Sequence, residues 1–393
     1  MLAPEPFFKP RGTPFSVYHR CKALTGLGHH IDLLTYHLGE DVAMEGLRII
    51  RIPRLPGIRN VKIGFSLAKL PLWILMFLWA IKLALSNRYD LVHTHEDAVF
   101  IGVILKIFGR KKHVYDMHSS LPQQFINYNV TQSRMFLAVA RMFERVALRW
   151  SDAVITICPS LHDQVQQTVP GKRTVLIENV ALTDGSNAVC PDEVRALRQT
   201  LRANERFTVL YTGTLEFNQG IGILIDALAM AAGIVSNVQC VLVGGETEQI
   251  SHFKKYARQH GLEDRVIFTG RRPPQEMGSY MAVADVLVSP RSVGTNTPLK
   301  IYSYMNAGKA ILATNLYTHT QVLNNEVALL VEPTAEALAE GIVKLARDPE
   351  LRELLGQRAQ ALQLRDYSYE SFLKKTKELY DHMTNSSAAG EPR

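Results

Sequence analysis

Residues 297–315 read TPLKIYSYMNAGKAILATN, the pattern of a capped helix that leads into a short buried strand. Thr297 suits the N-cap, Pro298 the first helical position, and Gly308 the position just after the helix. The start of a helix exposes backbone N–H groups and the positive end of the helix dipole, so this one can hold a phosphate. Most capped helices hold no ligand, so evidence from the rest of the chain is needed to predict whether this helix binds a phosphate.

Apolar strand-like runs alternate with helical stretches on the N-terminal side of this segment and beyond it. The predicted strands cover residues 31–36, 47–52, 90–93, 113–116, 153–157 and 175–177 in the first half, and 208–211, 239–243, 266–268, 286–289, 310–313 and 328–331 in the second. Such alternation is typical of α/β proteins, in which helices cover both faces of a parallel sheet.

The 393 residues are too many for one ordinary hydrophobic core, and we expect two Rossmann-like domains. The first is predicted at residues 1–181 and the second at 206–368. Residues 182–205 open with a polar, turn-rich stretch and are predicted to be the linker. A helix over 369–384 is expected to close the fold, and 385–393 to be a flexible tail.

Charge is spread unevenly along the chain, whose formal net charge is +7. Residues 1–150 hold 20 Lys/Arg and 10 Asp/Glu, a balance of +10, and the remainder has a balance of −3. Residues 46–89 contain eight Lys/Arg and no acid. The segment has no helix-turn-helix, zinc or aromatic-platform pattern, so we expect no nucleic acid partner. An anionic membrane surface is the expected partner instead.

The same basic segment contains the run LPLWILMFLWAI at residues 70–81, bracketed by Lys69 and Lys82. It is shorter than the roughly 20 apolar residues that span a bilayer. A buried core helix, a membrane-facing interfacial helix and a span all remain open. Trp73, Trp79 and the flanking lysines favour the interfacial helix more than a typical core helix would.

Four scattered cysteines form no metal or redox spacing, which is typical of a reducing compartment. The first residues lack the basic and apolar pattern of a secretory signal. We therefore expect a cytoplasmic protein, with peripheral attachment to the inner face of the cell membrane as the further expectation.

Histidines stand at the carboxyl ends of two predicted strands of the first half. His93 and His95 end one strand, and His118 follows the next. Ligands bind at this edge of a parallel sheet, where an imidazole can serve catalysis. His118 is accordingly the predicted catalytic residue. The histidines have no metal-ligand spacing and the chain has no Asp-x-Asp pair, so no metal site is expected.

Glycine loops follow the strands of the second half. TGTLEFNQG at residues 212–220 has the outline of a phosphate-binding loop, but it is neither a Walker loop nor the dinucleotide fingerprint. Gly244 and the pair Gly270-Arg271 stand in similar places. Ordinary structural glycines would give the same pattern.

Taken in order, these segments resemble a family 4 glycosyltransferase with the GT-B fold, two facing Rossmann-like domains, over nearly the whole chain. The resemblance rests on the Gly12 loop, DLVHTH at 90–95, Glu144 through DAVITI at 152–157, VLIEN at 175–179, the Gly213 loop, LVGG at 242–245, VIFTG at 266–270, ADVLVSP at 284–290 and Gly308-Lys309.

This resemblance implies transfer of a sugar from a nucleotide-sugar, without a metal or other cofactor and with retention of anomeric configuration. The second domain would bind the donor and the first a glycan or lipid acceptor. The implied acceptor-side residues are Arg11, Gly12, Thr13 and His95. The implied donor-binding residues are Gly213, Thr214, Gln219, Gly244, Gly270, Arg271, Gly294, Thr295, Asn296, Thr297, Lys300 and Ser303.

The chain departs from the family pattern where charged residues are usual. Thr214 and Gln219 stand in place of an Arg and a Lys, and Thr295 and Ser303 in place of two Glu residues. Lys300 could provide the cation that Gln219 does not. A catalytically degenerate GT-B protein that binds a nucleotide-sugar or a partner is the main alternative, and a GT-B epimerase or phosphorylase is a third.

Overall fold

A computed structural model describes residues 1–8, 12–58, 61, 69–127, 131–181 and 189–388. The chain divides into two compact units. The first comprises Met1–Asn179 with Phe372–Arg393, and the second Val180–Ser371. Each unit is built on one parallel sheet, so the Rossmann-like α/β architecture predicted from the sequence is confirmed.

The first unit contains seven parallel strands in the order β3-β2-β1-β4-β5-β6-β7. The strands are β1 Leu2–Ala3, β2 Ile31–Thr35, β3 Leu47–Arg51, β4 Leu91–His95, β5 Lys112–Met117, β6 Ala153–Thr156 and β7 Thr174–Leu176. The strand order reverses direction between β1 and β4, which is where ligands bind in open parallel sheets. In the register of β4 with β5, His95 lies beside Asp116.

Within the described residues, six α-helices connect these strands: α1 Gly12–Gly26, α2 Lys69–Ser86, α3 Val99–Gly109, α4 Leu121–Asn127, α5 Arg134–Trp150 and α6 Pro159–Thr168. Right-handed crossovers place α2, α3 and α5 on one face of the sheet and α1 on the other. Helix α2 packs against α3, and α3 packs against α5.

Helix α2 buries only one stripe of its surface. Leu72, Met76 and Ala80, spaced four residues apart, pack into the core, whereas Leu70 and Leu78 are exposed. By length and composition α2 is the one described helix that could cross a membrane, and a helix packed on a sheet passes the same test. One face of this run is therefore part of the core, and the other face is exposed.

The second unit contains six parallel strands in the order β10-β9-β8-β11-β12-β13. They are β8 Phe207–Thr212, β9 Val238–Val243, β10 Val266–Gly270, β11 Val286–Ser289, β12 Ala310–Thr314 and β13 Leu329–Val331. Its helices are α7 Pro191–Thr200, α8 Ile221–Ala232, α9 Thr247–Gln259, α10 Met277–Val283, α11 Leu299–Asn306, α12 Tyr317–Thr320, α13 Ala335–Arg347 and α14 Pro349–Asp366. The order reverses between β8 and β11.

Helix α7 corrects the linker predicted at 182–205. Residues 182–188 lie outside the described residues, but Pro191–Thr200 is helical and packs on α10 inside the second unit. Val194, Leu197 and Leu201 recur at helical spacing and join its core. The polar composition of the segment obscured this apolar stripe.

The last helix, α15 (Tyr369–Ala388), returns to the first unit from Phe372 onward. Phe372 is buried there, with the guanidinium carbon of Arg20 4.7 Å from its ring centre. The helix continues four residues beyond the predicted end at 384, so the tail predicted at 385–393 is helical up to Ala388. Residues 389–393 lie outside the described residues.

Candidate functional site

Polar side chains gather at the carboxyl ends of β4 and β5 in the first unit. His93, His95, Asp116 and His118 are all buried. His118 Nε2 lies 3.1 Å from Asp116 Oδ1 and 3.4 Å from His95 Nδ1. On the other side of the carboxylate, Arg20 Nε donates to Asp116 Oδ2 over 3.0 Å. The structure thus brings the two predicted histidines, His95 and His118, together around a carboxylate.

The environment makes His118 the proton-bearing member of this cluster. Burial opposes ionisation of Asp116, but Arg20 and His118 hold the pKa of this carboxyl well below its usual range. Burial also opposes protonation of His118, yet the negative charge of Asp116 raises its pKa above the ordinary value. Burial lowers the pKa of His93 to about 4 and that of His95 well below its usual value. The surroundings therefore favour the protonated form of His118 and the neutral forms of His93 and His95.

Asp116 and Arg20 belong to this buried cluster but were not among the residues predicted from the sequence. Asp116 ends the same strand as His118, so its position offered a signal. Arg20 offered none, because it lies on α1, 96 residues from its partner. Arg20 also donates to Thr376 Oγ1 of α15 over 3.0 Å, which fixes the guanidinium from a second side.

The ligand atoms of His93, His95 and Asp116 lie within 4.8 Å of one another, close enough to hold a metal ion. One contact opposes this use of the cluster, because the guanidinium of Arg20 already neutralises the carboxylate. The Tyr380 hydroxyl is hydrogen-bonded to His93 Nδ1, and Nε2 of the same ring faces Asp116. A divalent cation here would meet the positive charge of Arg20 at close range.

The predicted loop at residues 11–13 leads into α1, the helix that carries Arg20. Gly12 is the first residue of α1 and is exposed, and Thr13 is half-buried. Arg11 lies outside the described residues. Gly12 and Thr13 therefore begin the helix that follows β1, the strand at the strand-order reversal of the first sheet.

In the second unit, Lys300 lies at the centre of the predicted donor site. It is the second residue of α11, its Nζ atom is 3.7 Å from the centre of the Tyr211 ring, and it donates to Gln219 Oε1 over 3.1 Å. Desolvation of the ammonium group, together with the nearby charge of Arg291, holds the pKa of Lys300 well below its usual value. Lys300 and Gln219 are therefore in direct contact. The sequence analysis linked them only because Lys300 could provide the cation that Gln219 does not.

Arg291 is a second cation that the sequence analysis overlooked. It follows β11, and its Nη1 donates to the Asn296 carbonyl over 2.9 Å and to Thr318 Oγ1 over 3.0 Å. A Cβ atom on Gly294 would lie 3.2 Å from the same Nη1. Arg291 thereby ties the predicted loop 294–296 to Thr318 of α12.

Helix α11 begins one residue later than predicted. Pro298 is its extended N-cap residue, with φ −67° and ψ 135°, and Leu299 is the first helical residue. Thr297 therefore does not cap the helix. Its hydroxyl oxygen is buried and has no hydrogen-bond partner among the described residues. A buried polar atom of this kind is satisfied by water or a ligand.

Close packing of the backbone explains two of the predicted glycines. Gly213 has φ +139°, and a Cβ there would lie 3.0 Å from Lys300 Nζ. A Cβ on Gly244 would lie 2.0 Å from the Gly213 carbonyl oxygen, a distance that no side chain can occupy. Gly244 N also donates to the Gly270 carbonyl over 2.9 Å. The ends of β8, β9 and β10 therefore meet at one edge.

The remaining predicted donor residues have contacts that are mainly structural. The Thr214 carbonyl accepts from the Tyr211 hydroxyl over 2.5 Å, and the Thr295 carbonyl from Gln321 over 2.6 Å. Arg271 is exposed and paired with Glu246. Ser303 is buried inside α11.

Comparisons with known proteins agree with both units. The family described as Glycosyltransferase Family 4 matches residues 10–184, and the one described as Glycosyl transferases group 1 matches residues 193–362. The phosphatidyl-myo-inositol mannosyltransferase of Mycobacterium tuberculosis (strain ATCC 25618 / H37Rv) is 23% identical over 402 residues, covering 99% of this chain and 97% of that protein.

Two solved structures share the fold. Sucrose-phosphate synthase from Thermosynechococcus elongatus has a TM-score of 0.79 at 23% identity, with 95% of this chain and 94% of that one covered. Anabaena Alr3699/HepE, in complex with UDP and glucose, has a TM-score of 0.72 at 22% identity, with 97% and 98% covered. The GT-B fold expected from the sequence is confirmed.

Proposed function

The chain belongs to glycosyltransferase family 4 and is a nucleotide-sugar glycosyltransferase, and we propose that it transfers the sugar with retention of configuration and without a metal ion. The donor is proposed to be a sugar nucleoside diphosphate, with UDP as the first nucleotide to test because the similar HepE structure holds UDP. The observation that carries the proposal is the pair of cations, Lys300 and Arg291, beside the start of α11.

We assign the diphosphate to this edge of the second sheet. The family pattern usually supplies its cations from the Gly213 loop, where this chain has Thr214 and Gln219. Lys300 reaches Gln219 Oε1 at 3.1 Å, so its ammonium stands where the missing loop lysine would act. The amino end of α11 and the orphaned Thr297 hydroxyl offer further donors.

Lys300 and Arg291 can also assist the step in which the bond between the sugar and the diphosphate breaks. When the bond between the sugar and the diphosphate breaks, negative charge accumulates on the leaving phosphate oxygens. Fixed positive groups at that place stabilise the transition state more than the ground state. Burial depresses the pKa of Lys300, and a bound diphosphate would restore its charge because an anion favours the protonated amine. This arrangement supports transfer without a divalent cation.

In the first unit, we assign to His118 a hydrogen bond from its protonated ring to a substrate oxygen. Asp116 keeps the ring protonated, and Arg20 keeps Asp116 ionised. His95, which is held neutral, completes the polar edge. The carboxylate thus acts through the imidazole and not on the substrate.

The acceptor is proposed to be a lipid-linked or surface-glycan precursor. The similar mycobacterial enzyme is named for a phospholipid acceptor, phosphatidyl-myo-inositol. The alternative of a degenerate donor-binding protein is favoured by one observation, namely that Thr295 and Ser303 replace the usual two glutamates.

Nucleotide release in the presence of a sugar nucleotide and a glycolipid acceptor mixture tests the proposal. We expect turnover that persists in EDTA, and a product whose anomeric proton coupling matches that of the donor. Donor binding without turnover over a broad acceptor panel would favour the degenerate protein. Inversion of configuration would contradict the retaining mechanism.

A further inference from the structure

Helix α5 turns a large apolar face toward solvent. Seven of its side chains each leave more than 40% of their surface exposed. These are Met135, Phe136, Val139, Met142, Phe143, Val146 and Trp150. At about 100° per residue they share one arc of roughly 120° along the whole helix. The opposite arc, which includes Ala140, Glu144 and Leu148, is buried against the unit.

A row of arginines separates the exposed apolar arc from the buried one. At about 100° per residue the four arginines of α5 fall together on one flank, and all four are exposed. They are Arg134, Arg141, Arg145 and Arg149. Glu144, the only acid in α5, points inward, where it accepts from Leu121 N over 2.7 Å and from Gln164 Nε2 over 2.7 Å. The outer surface of α5 is therefore both apolar and purely cationic.

The neighbouring helices extend this surface. Helix α3 packs against α5, α2 packs against α3, and neither α2 nor α3 contains Asp or Glu. Phe100 of α3 meets Phe143 of α5 edge to face, with ring centres 6.0 Å apart. Large apolar side chains of α2 and α3 are also exposed, namely Leu70, Ile74, Leu78, Leu85, Ile107 and Phe108.

We propose that the outer face of α5, with α2 and α3 beside it, docks on an anionic lipid bilayer. An interfacial helix needs an apolar arc that enters the acyl boundary and a cationic flank at the level of the headgroups. Helix α5 has both, and Trp150 at its end is a residue type that favours the membrane interface. This surface is independent of the donor chemistry proposed above.

A second copy of the chain is the other occupant to consider. A two-fold contact buries the same patch on both subunits. It would bring arginine-flanked surfaces together, and the exposed surface of α5 offers no carboxylate to pair with them. Anionic headgroups supply that negative charge, so charge complementarity selects the bilayer.

The test is flotation of the full chain with phosphatidylcholine vesicles that contain 0 or 30% phosphatidylglycerol, over a salt series. We expect binding only to the anionic vesicles. Since each base near such a surface contributes about 1 kcal/mol, R141Q/R145Q/R149Q should lower the partition coefficient about 100-fold at low salt. M142S/V146S/W150S should weaken binding at every salt concentration, because the apolar part is insensitive to salt.

Matched controls lie in the second unit, where exposed bases and an exposed leucine are also available. K344Q/R347Q/R358Q removes the same charge, and L364S removes an exposed apolar side chain. Both should float like the wild type. Circular dichroism and thermal unfolding check that every variant folds.

A chain with W73F/W79F leaves Trp150 as the only tryptophan, and its emission should shift to the blue on anionic vesicles. Three results would overturn the proposal: wild-type protein that ignores anionic vesicles at low salt, α5 variants that bind like the controls, or unshifted Trp150 emission with bound protein. Light scattering that shows a dimer abolished by M142S/V146S/W150S would assign the face to a second copy instead.

Discussion

His118 Nε2 lies 3.1 Å from Asp116 Oδ1, and in this buried pair the carboxylate raises the pKa of the imidazole. The pKa of His118 is raised, so its protonated form is present below that pKa and is lost as the pH rises through it. We therefore expect turnover to fall on the alkaline side. Asp116→Asn removes the charge that raises the pKa and should move this alkaline limb to lower pH.

The pH profile of kcat/KM for the wild type, Asp116→Asn and His118→Gln measures this effect. His118→Gln should lower turnover about 100-fold or more and abolish the limb, since a positioned acid–base group contributes at least that factor. If kcat/KM of Asp116→Asn falls at the same alkaline pH as that of the wild type, the His118–Asp116 pair does not determine that pH.

Arg20→Met should be strongly destabilising. Both members of the Arg20–Asp116 pair are at most 3% exposed, and removal of one partner of such a pair costs about 3–5 kcal/mol because the other charge stays buried. Urea unfolding gives the loss. Arg48→Met breaks the exposed pair with Asp32 and should leave the midpoint nearly unchanged. Equal, small effects of the two substitutions would contradict the assignment.

Gly244→Ala should disrupt the donor edge. Gly244 has φ +121°, and the added Cβ would lie 2.0 Å from the Gly213 carbonyl oxygen, so the Gly213 backbone, which lies close to Lys300 Nζ, has to move. We expect weaker UDP binding and a lower Tm. Gly261→Ala is the matched control, because Gly261 also has a positive φ, +67°, but its Cβ would meet no atom within 4 Å. If calorimetry finds the same UDP affinity in both variants, the close packing at Gly244 does not support UDP binding.

The sequence predicted the two sheets well because buried parallel strands are short apolar runs bounded by turn residues. All twelve predicted strands are present, each within a few residues of its predicted bounds. Helix and linker boundaries that depend on a few polar residues were predicted less accurately. Helix α7 was assigned to the linker, and α11 starts at Leu299 because Pro298 keeps an extended backbone.

The site was only partly predictable for a physical reason. The histidines and glycines were found because they stand at strand ends. Arg20 and Arg291 were missed because their partners are fixed by tertiary packing, 96 residues away for Asp116 and 27 for Thr318. The apolar residues of α5 recur with a helical period, but that pattern is the same whether the apolar arc faces a core or water.

The central claim is that Lys300 binds the donor diphosphate, and calorimetry with UDP tests it most directly. Loss of a charged hydrogen bond costs about 1.5–3 kcal/mol, so Lys300→Met should raise the dissociation constant about 10- to 100-fold. Lys254→Met, an exposed lysine on α9, is the control and should bind like the wild type. An unchanged dissociation constant in a folded Lys300→Met protein would contradict the account.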